Sequence, residues 1–235
     1  MLSIAVYSDN TESISCLRST IQDVLINFKL MAKVSTFNEP DALVMSPSAY
    51  DIYILDMDAE GDTIALGKQM HEIDDGGHFI YISENEANAY KAYKAHADHF
   101  LIKPIDESEF LEVFGIIKKE IKENSIIIDS PVGERRIRIN NLNYVNIVKR
   151  CLCYHLKDGA MFDGQTLRSS FEKAITPLQH NKTFLFLPPS LLINLSEIKI
   201  VNSDNLTFEN DEVLYFPKKA YELVRERWRT YNQLD

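Results

Sequence analysis

The sequence predicts an α/β domain built on a doubly wound five-stranded parallel sheet, strand order 2-1-3-4-5, followed by a mostly-β domain. Three observations predict it. Strand-like and helix-like patterns alternate five times between residue 1 and about residue 123. The run Asp51-Ile52-Tyr53-Ile54-Leu55-Asp56 is apolar between its two acids and reads as a buried strand. Past residue 125 the pattern changes to short β-rich runs separated by turn residues, with few helical stretches. The domains are therefore read as 1–123 and 125–235, with Asn124-Ser125 at the boundary.

The elements of the first domain follow in order. Residues 2–7 form a strand, and 11–28 a helix with Ile14, Leu17, Ile21, Leu25 and Phe28 at helical spacing. Residues 31–37 are β-rich and 39–46 form a short helix. The buried strand 51–55 comes next, then a helix around 64–73. Gly76-Gly77 punctuates before the strand His78-Phe79-Ile80-Tyr81-Ile82. A helix over 86–95 and a short strand over 98–102 follow. Asp106-Glu107-Ser108-Glu109 has capping-box-like spacing, and Phe110, Val113, Phe114, Ile117 and Ile121 carry the last helical stripe. Strict alternation of this kind argues a parallel sheet covered on both faces, and 2-1-3-4-5 is the commoner order for five such strands.

The second domain reads as strands at 126–128, 134–139, 142–148, 151–156 and 160–164, with turns at Pro131-Val132-Gly133, Asn140-Asn141 and Lys157-Asp158-Gly159. A helix is expected where Leu167, Phe171, Ala174, Ile175 and Leu178 recur, closing near Pro177. Strand-like runs follow at 184–187, 191–194, 197–201, 206–209 and 212–216. Pro217 opens a final helix with Ala220, Leu223, Val224 and Tyr231 on one face.

Composition bounds the function. The chain of 235 residues is 45% hydrophobic and 26% charged, ordinary for a soluble globular protein. No apolar run approaches the roughly 18 residues of a membrane span, and no basic leader precedes the first strand, so neither membrane nor secretion is expected. Three cysteines give no disulfide framework and point to a reducing, cytoplasmic compartment. Cys151 and Cys153 share one face of a strand, but a lone pair is a weak metal signal. The net charge of −10 is uneven: residues 1–124 carry 22 acids and 10 bases, net −12, and residues 125–235 carry 13 acids and 15 bases, net +2. That asymmetry suggests two jobs, although +2 is a weak footprint for nucleic acid.

An acid ending a buried strand lies at the carboxyl edge of the sheet, where α/β domains bind ligands. Asp56 alone could be a nucleophile, a metal ligand or a helix N-cap. The other strand ends narrow the choice: strand one ends at Ser8-Asp9-Asn10, strand four at Ser83 and strand five at Lys103-Pro104. Asp9 and Asp56 together suit a hard divalent cation such as Mg²⁺, which takes few protein ligands. Ser83 and Lys103 would hold the oxygens of a phosphoryl group carried on Asp56, for which positioning and charge neutralisation supply most of the chemistry.

On these residues the first 123 positions resemble the receiver domain of two-component response regulators, a flavodoxin-like fold. The resemblance rests on the strand into Asp9, Tyr53-Ile54-Leu55-Asp56, Ile82-Ser83 and Phe100-Leu101-Ile102-Lys103-Pro104. It implies phosphorylation of Asp56 by a sensor histidine kinase, with Mg²⁺ held by Asp9, Asp56 and the Asp58 carbonyl. It also implies a Ser83 that turns towards the phosphoryl group and an aromatic switch at Phe100. Homodimerisation is implied through the helix carrying Tyr90, Lys91, Tyr93, Lys94 and His96. Ser8 stands where the family usually has the first of two acids, and loss of that carboxylate weakens metal binding. Phosphoaspartate adds charge beside Lys103 and acts by favouring one of two arrangements of the fourth and fifth βα units.

Residues 125–232 more loosely resemble the LytTR-type DNA-binding domain, through Leu142-Asn143-Tyr144-Val145, His155–Gly159, Phe184–Leu195 and Leu214–Lys219. The resemblance implies a double-stranded DNA partner and transcriptional regulation. By position Arg150, Pro189 and Lys219 match base-contacting sites, with Lys149 and Lys218 beside them. Where the family carries Arg, His and a further polar residue, this chain has Phe186, Pro188 and Pro189. Prolines donate no hydrogen bond, so sequence readout should be altered, while Lys149, Arg150, Lys218, Lys219 and Arg225 remain available for phosphates.

Two other functions compete. A receiver short of one acid and an output domain with Pro188-Pro189 could act without phosphate or DNA, as a protein-interaction scaffold. Tyr53–Asp58 also fits the strand-Asp-x-Asp entry of haloacid-dehalogenase-like phosphatases. Against that, Ala59-Glu60 departs from the motif, and the strand is not the first. The expectation is a response regulator that is not an enzyme.

Overall fold

The computed structural model describes residues 1–46 and 49–233. The last two residues of the second expected domain, 234–235, lie outside the described residues. The chain divides into two compact units, the first ending at Glu123 and the second starting at Asn124.

In the first unit, five strands and five helices alternate: β1 (Leu2–Tyr7), α1 (Thr11–Asn27), β2 (Ala32–Phe37), α2 (Pro40–Val44), β3 (Ile52–Asp56), α3 (Thr63–Ile73), β4 (His78–Ser83), α4 (Ala89–Lys94), β5 (His99–Ile102) and α5 (Glu107–Glu123). The strands are parallel and ordered β2-β1-β3-β4-β5, as the alternation predicts. β3 is central and all five of its residues are buried. Period-two alternation splits it between two cores. Ile52 and Ile54 face a cluster with Ile4, Val6, Ile80 and Ile82 that α1 covers with Leu17, Ile21 and Val24, and α5 with Phe110, Phe114 and Ile117. Tyr53 and Leu55 face the opposite cluster, covered by Leu43, Leu66, Met70 and Ala92.

The helices start where their caps lie. The Asn10 side chain accepts the Glu12 and Ser13 amides at 2.8 and 3.1 Å, and Asp106 Oδ1 accepts the Glu109 amide at 3.0 Å. One expectation is corrected. The helix expected over 86–95 is a 3₁₀ turn at Glu86–Asn88 followed by the six-residue α4. Asn85 accepts the Ala87 amide at 3.0 Å and holds that tighter first turn.

In the second unit every strand pairing is antiparallel. β6 (Ser125–Ser130) and β7 (Gly133–Arg138) form a two-stranded ribbon. β8 (Leu142–Val148), β9 (Cys151–Leu156) and β10 (Met161–Thr166) are joined in sequence. The short helices α6 (Phe171–Ala174) and α7 (Thr176–Gln179) then lead to β11 (Phe184–Leu187) and β12 (Leu191–Asn194). The resulting five-stranded sheet has the order β10-β9-β8-β12-β11. β13 (Ile198–Val201), β14 (Asn205–Phe208) and β15 (Val213–Tyr215) form a three-stranded sheet. A 3₁₀ turn at Lys218–Ala220 precedes α8 (Tyr221–Asn232).

The single helix expected around 167–178 is two, because Pro177 enters the first turn of α7 and cannot continue α6. In α8, Val224 is fully buried and Trp228 and Tyr231 pack beside it, whereas Leu223 is 44% exposed and does not share their face. Among the described residues, no helix is long and apolar enough to cross a membrane.

Candidate functional site

Parallel pairing brings all the strand ends of the first unit to one edge. Tyr7 of β1 lies level with Leu55 of β3, and Asp56 with Ile82 of β4, so Ser8, Asp56 and Ser83 leave the sheet together. All three are buried. Asp56 is only 1% exposed, and a buried carboxylate needs a partner for each oxygen. Lys103 Nζ meets Oδ1 at 2.6 Å, and the Asp58 amide donates to the same oxygen at 3.1 Å. Ser8 Oγ donates to Oδ2 at 2.8 Å. The Thr63 hydroxyl fixes the Asp56 backbone by donating to its carbonyl at 3.0 Å.

A second carboxylate sits beside the first. Asp58 Oδ1 accepts from Ser83 Oγ at 2.7 Å, while Oδ2 accepts the Glu84 amide at 2.7 Å and lies 3.1 Å from Lys103 Nζ. Burial pushes the Asp58 carboxyl up, but its bonds to Ser83, Glu84 and Lys103 outweigh this and hold it below its ordinary value. Burial likewise pulls the Lys103 ammonium down, and the adjoining Asp56 and Asp58 carboxylates reverse the sign, so it stays charged.

Asp56, Asp58, Ser83 and Lys103 thus lie in one hydrogen-bonded network. Asp9 lies at its rim, where Oδ2 accepts the Glu60 amide at 2.6 Å and ties the loop after β1 to the loop after β3. Phe100 is half-buried on β5, packed against the cluster that holds Tyr81 and Ala92. On α4, Tyr90 and Tyr93 are 65% and 76% exposed, with Lys94 Nζ 4.6 Å from the Tyr90 ring centroid. Lys91 and His96 are exposed beside them.

Of the strand-end residues, the structure brings Asp56, Ser83 and Lys103 together and leaves Asp9 at the rim, and it adds two contributions that the strand ends do not signal. Ser8 registers only as a missing acid, whereas its hydroxyl caps Asp56. Asp58 registers only for its carbonyl, whereas its side chain binds Ser83, Glu84 and Lys103. Neither spacing nor composition carries a signal for these bonds.

Oxygen donors from Asp9, Asp56 and the Asp58 carbonyl are of the hard type that Mg²⁺ prefers, and two carboxylates with a carbonyl suit an ion that retains several waters. Among the described residues there is no cluster of three or more His, Cys, Asp or Glu side chains arranged to hold a metal. The thiol of Cys153 is not poised as a ligand. Burial, then the Asp163 carboxylate 2.9 Å away, pushes it up to about 11.

In the second unit Lys149 and Arg150 form the whole two-residue loop between β8 and β9, with Val148 opposite Cys151. Their φ angles are +49° and +67°, the left-handed pair of a type I′ turn, which ordinarily takes Asn-Gly. Both side chains are exposed. Lys218 and Lys219 are exposed in the 3₁₀ turn that opens α8, where no side chain caps the helix. Phe186 is half-buried and stacks on Phe171, ring centroids 5.9 Å apart, beside the core. Pro188 and Pro189 are exposed in the β11–β12 turn.

No protein-family model matches this chain, and no curated protein matches its sequence. Among solved structures it is similar to the response regulator DrrB, an OmpR/PhoB homologue from Thermotoga maritima, at 16% identity over 64% of this chain and 68% of that one, TM-score 0.44. It is also similar to a CheY-like receiver domain protein from Methanospirillum hungatei, at 18% identity over 52% of this chain and 98% of that one, TM-score 0.43. A third similar structure is the response regulator TrrA from Thermotoga maritima in complex with Mg(2+)-BeF, at 16% identity over 50% of this chain and 99% of that one, TM-score 0.43.

Proposed function

We propose that this chain is a cytoplasmic response regulator, phosphorylated on Asp56 by a sensor histidine kinase, whose second unit binds double-stranded DNA to regulate transcription. One observation carries the first half: a buried strand-end carboxylate in contact with one ammonium, beside a strand-end hydroxyl that faces the same site. In the proposed transfer an Asp56 oxygen attacks phosphorus, and the P–N bond of the phosphohistidine breaks with its electron pair passing to the imidazole. Lys103 neutralises the charge that gathers on the phosphoryl oxygens, and Ser83 donates to one of them. Asp9, Asp56 and the Asp58 carbonyl would hold Mg²⁺, which when bound screens the acceptor from the incoming anion. Ser8 ties one lone pair of Oδ2 to a neutral donor, which tempers that oxygen as a nucleophile without blocking it.

Acetyl phosphate with Mg²⁺ is the direct test. Asp56 displaces acetate, and intact mass gains one phosphoryl group that Asp56→Asn does not gain. An unchanged mass in the natural chain refutes this half. On the same reading the exposed tyrosines of α4 pair two phosphorylated copies, a step read by light scattering.

The DNA half is supported by four exposed cations in positions that stability does not favour. Lys218 and Lys219 stand in the turn just ahead of α8, where a cation opposes the helix dipole by about 0.3–1 kcal/mol. Lys149 and Arg150 occupy a turn better suited to other residues. Duplex binding should weaken with salt at a slope near −0.9 for each phosphate contacted. A binding constant that does not move with salt would remove DNA from the reading. The protein would then be an acceptor of phosphate acting on another protein, and on neither reading is it an enzyme.

A further inference from the structure

We propose that the Asp58 carboxylate is a built-in occupant of the phosphoryl site, holding the donors that a phosphoryl group on Asp56 must take over. This rests on Asp56 being the phosphoacceptor. Three donors from separate segments converge on Asp58: the Ser83 hydroxyl ending β4, the Glu84 amide beyond it, and the Lys103 ammonium past β5. Such a convergence of a cation, a hydroxyl and a backbone N–H is an anion site. It lies against the acceptor, since Lys103 Nζ touches both carboxylates, at 2.6 Å for Asp56 and 3.1 Å for Asp58.

The Ser83 hydroxyl has no proton to spare. Its oxygen accepts the Asn85 amide at 3.1 Å and the Asn88 side-chain amide at 3.0 Å, which uses both lone pairs. Its single proton is therefore committed to Asp58, 2.7 Å away. Ser83 is fully buried, so no water can substitute as acceptor without entering the site. A phosphoryl group on Asp56 brings about two negative charges to the same three donors. It can bind them only once Asp58 has rotated away, because like charges sharing one ammonium repel. Asp58 has somewhere to go: its side chain is 28% exposed and can turn to solvent. At rest, then, the donors are satisfied and Ser83 is held in place by an internal anion.

The cost of displacement appears as a loss of apparent affinity equal to the fraction of molecules with the site open. If the site is open in about one molecule in ten, removing the occupant strengthens binding about tenfold. Beryllofluoride with Mg²⁺ is the probe, read by ¹⁹F NMR and titration calorimetry on the full chain, in the natural sequence, Asp58→Ala and Asp58→Asn. Asp58→Asn keeps the shape and an acceptor for Ser83 while removing the charge, and so guards against loss of folding in Asp58→Ala. Both variants should bind at least about tenfold more tightly than the natural chain. The gain should vanish in the Asp56→Asn background.

Equal affinities in the natural chain and both variants overturn the proposal and leave the acceptor role of Asp56 intact. Tight binding that survives Asp56→Asn also overturns it, because the anion then sits elsewhere. If neither the natural chain nor a folded variant binds beryllofluoride or gains a phosphoryl group, the acceptor reading fails and takes this proposal with it.

Discussion

Replacing Lys103 with methionine isolates the electrostatic centre of the site. The substitution keeps most of the stem and deletes the ammonium. Asp56, 1% exposed, is then left with two neutral donors, Ser8 Oγ and the Asp58 amide, and with a second carboxylate beside it. Breaking a buried ion pair by removing one partner costs about 3–5 kcal/mol. The lower end applies because the Lys103 and Asp58 side chains retain 15% and 28% exposure, so water screens part of the uncompensated charge. A loss of about 3 kcal/mol is a large share of the 5–15 kcal/mol that typically holds a domain together. Hydrogen exchange of the β3 and β4 amides reads the first unit alone, so unfolding of the second does not confuse it. Protonating a carboxylate removes the uncompensated charge, so the deficit should be largest at neutral pH and shrink on acidification. Adding Asp58→Asn should return part of the loss, since the pair in contact is not additive. A loss below about 1 kcal/mol, or one that ignores pH, would refute the reasoning, because an ion pair worth so little belongs to the surface.

Three further outcomes are expected. A Cβ on Gly67 would overlap the hydroxyl of Tyr81, which is itself fully buried, so Gly67→Ala should destabilise the first unit by about 2 kcal/mol even though alanine favours a helix. Adding Tyr81→Phe should recover only part of that in thermal unfolding, because the ring carbon Cζ that phenylalanine keeps would still lie 2.7 Å from the new Cβ. In the second unit burial holds the His155 imidazole below 6.5, against the opposing pull of Glu212 and Asp163. The native state therefore binds fewer protons than the unfolded chain, and stability is full above pH 6.5 and falls as pH drops below it. Urea titrations followed by Trp228, the single tryptophan, should show this slope, and His155→Phe should flatten it. Finally, Lys149→Asn with Arg150→Gly supplies the residues a type I′ turn prefers and should raise the stability of the second unit by about 1 kcal/mol. On the proposed DNA-binding role, the same double substitution should reduce the salt slope by about 2, one for each cation that would contact a phosphate.

The first unit was legible because parallel strands are buried on both faces. Residues 52–55 and 79–82 are unbroken apolar runs, and parallel order forces their ends to one edge whatever the helices do. What could not be read was set by tertiary contacts. Nothing in Ser8 or Asp58 as letters distinguishes a loop hydroxyl or acid from one bonded across 48 or 25 residues. The helix over 86–95 was overdrawn because Ala89, Ala92 and Ala95 sustain a helical period through a segment whose start is fixed by Asn85. The stripe from Leu167 to Leu178 puts a helix end near Pro177, whereas Pro177 sits in the first turn of a second helix, a position that proline suits. Phe186 takes the place of a polar family residue in the sequence, and its stacking on Phe171 beside the core is a tertiary contact with no sequence signal.

Ser8 has a consequence beyond the ligand it withholds from a cation. Phosphoryl donors are anions, and the formal charges of Asp9, Asp56, Asp58 and Lys103 sum to −2. An acid at position 8 would make it −3. Repulsion met on approach scales with that sum, through a low-dielectric edge that screens it poorly. On the proposed phosphoacceptor role the serine therefore moves two quantities in opposite senses: the site would grip a metal less firmly, and it would have less need of one to admit an anionic donor.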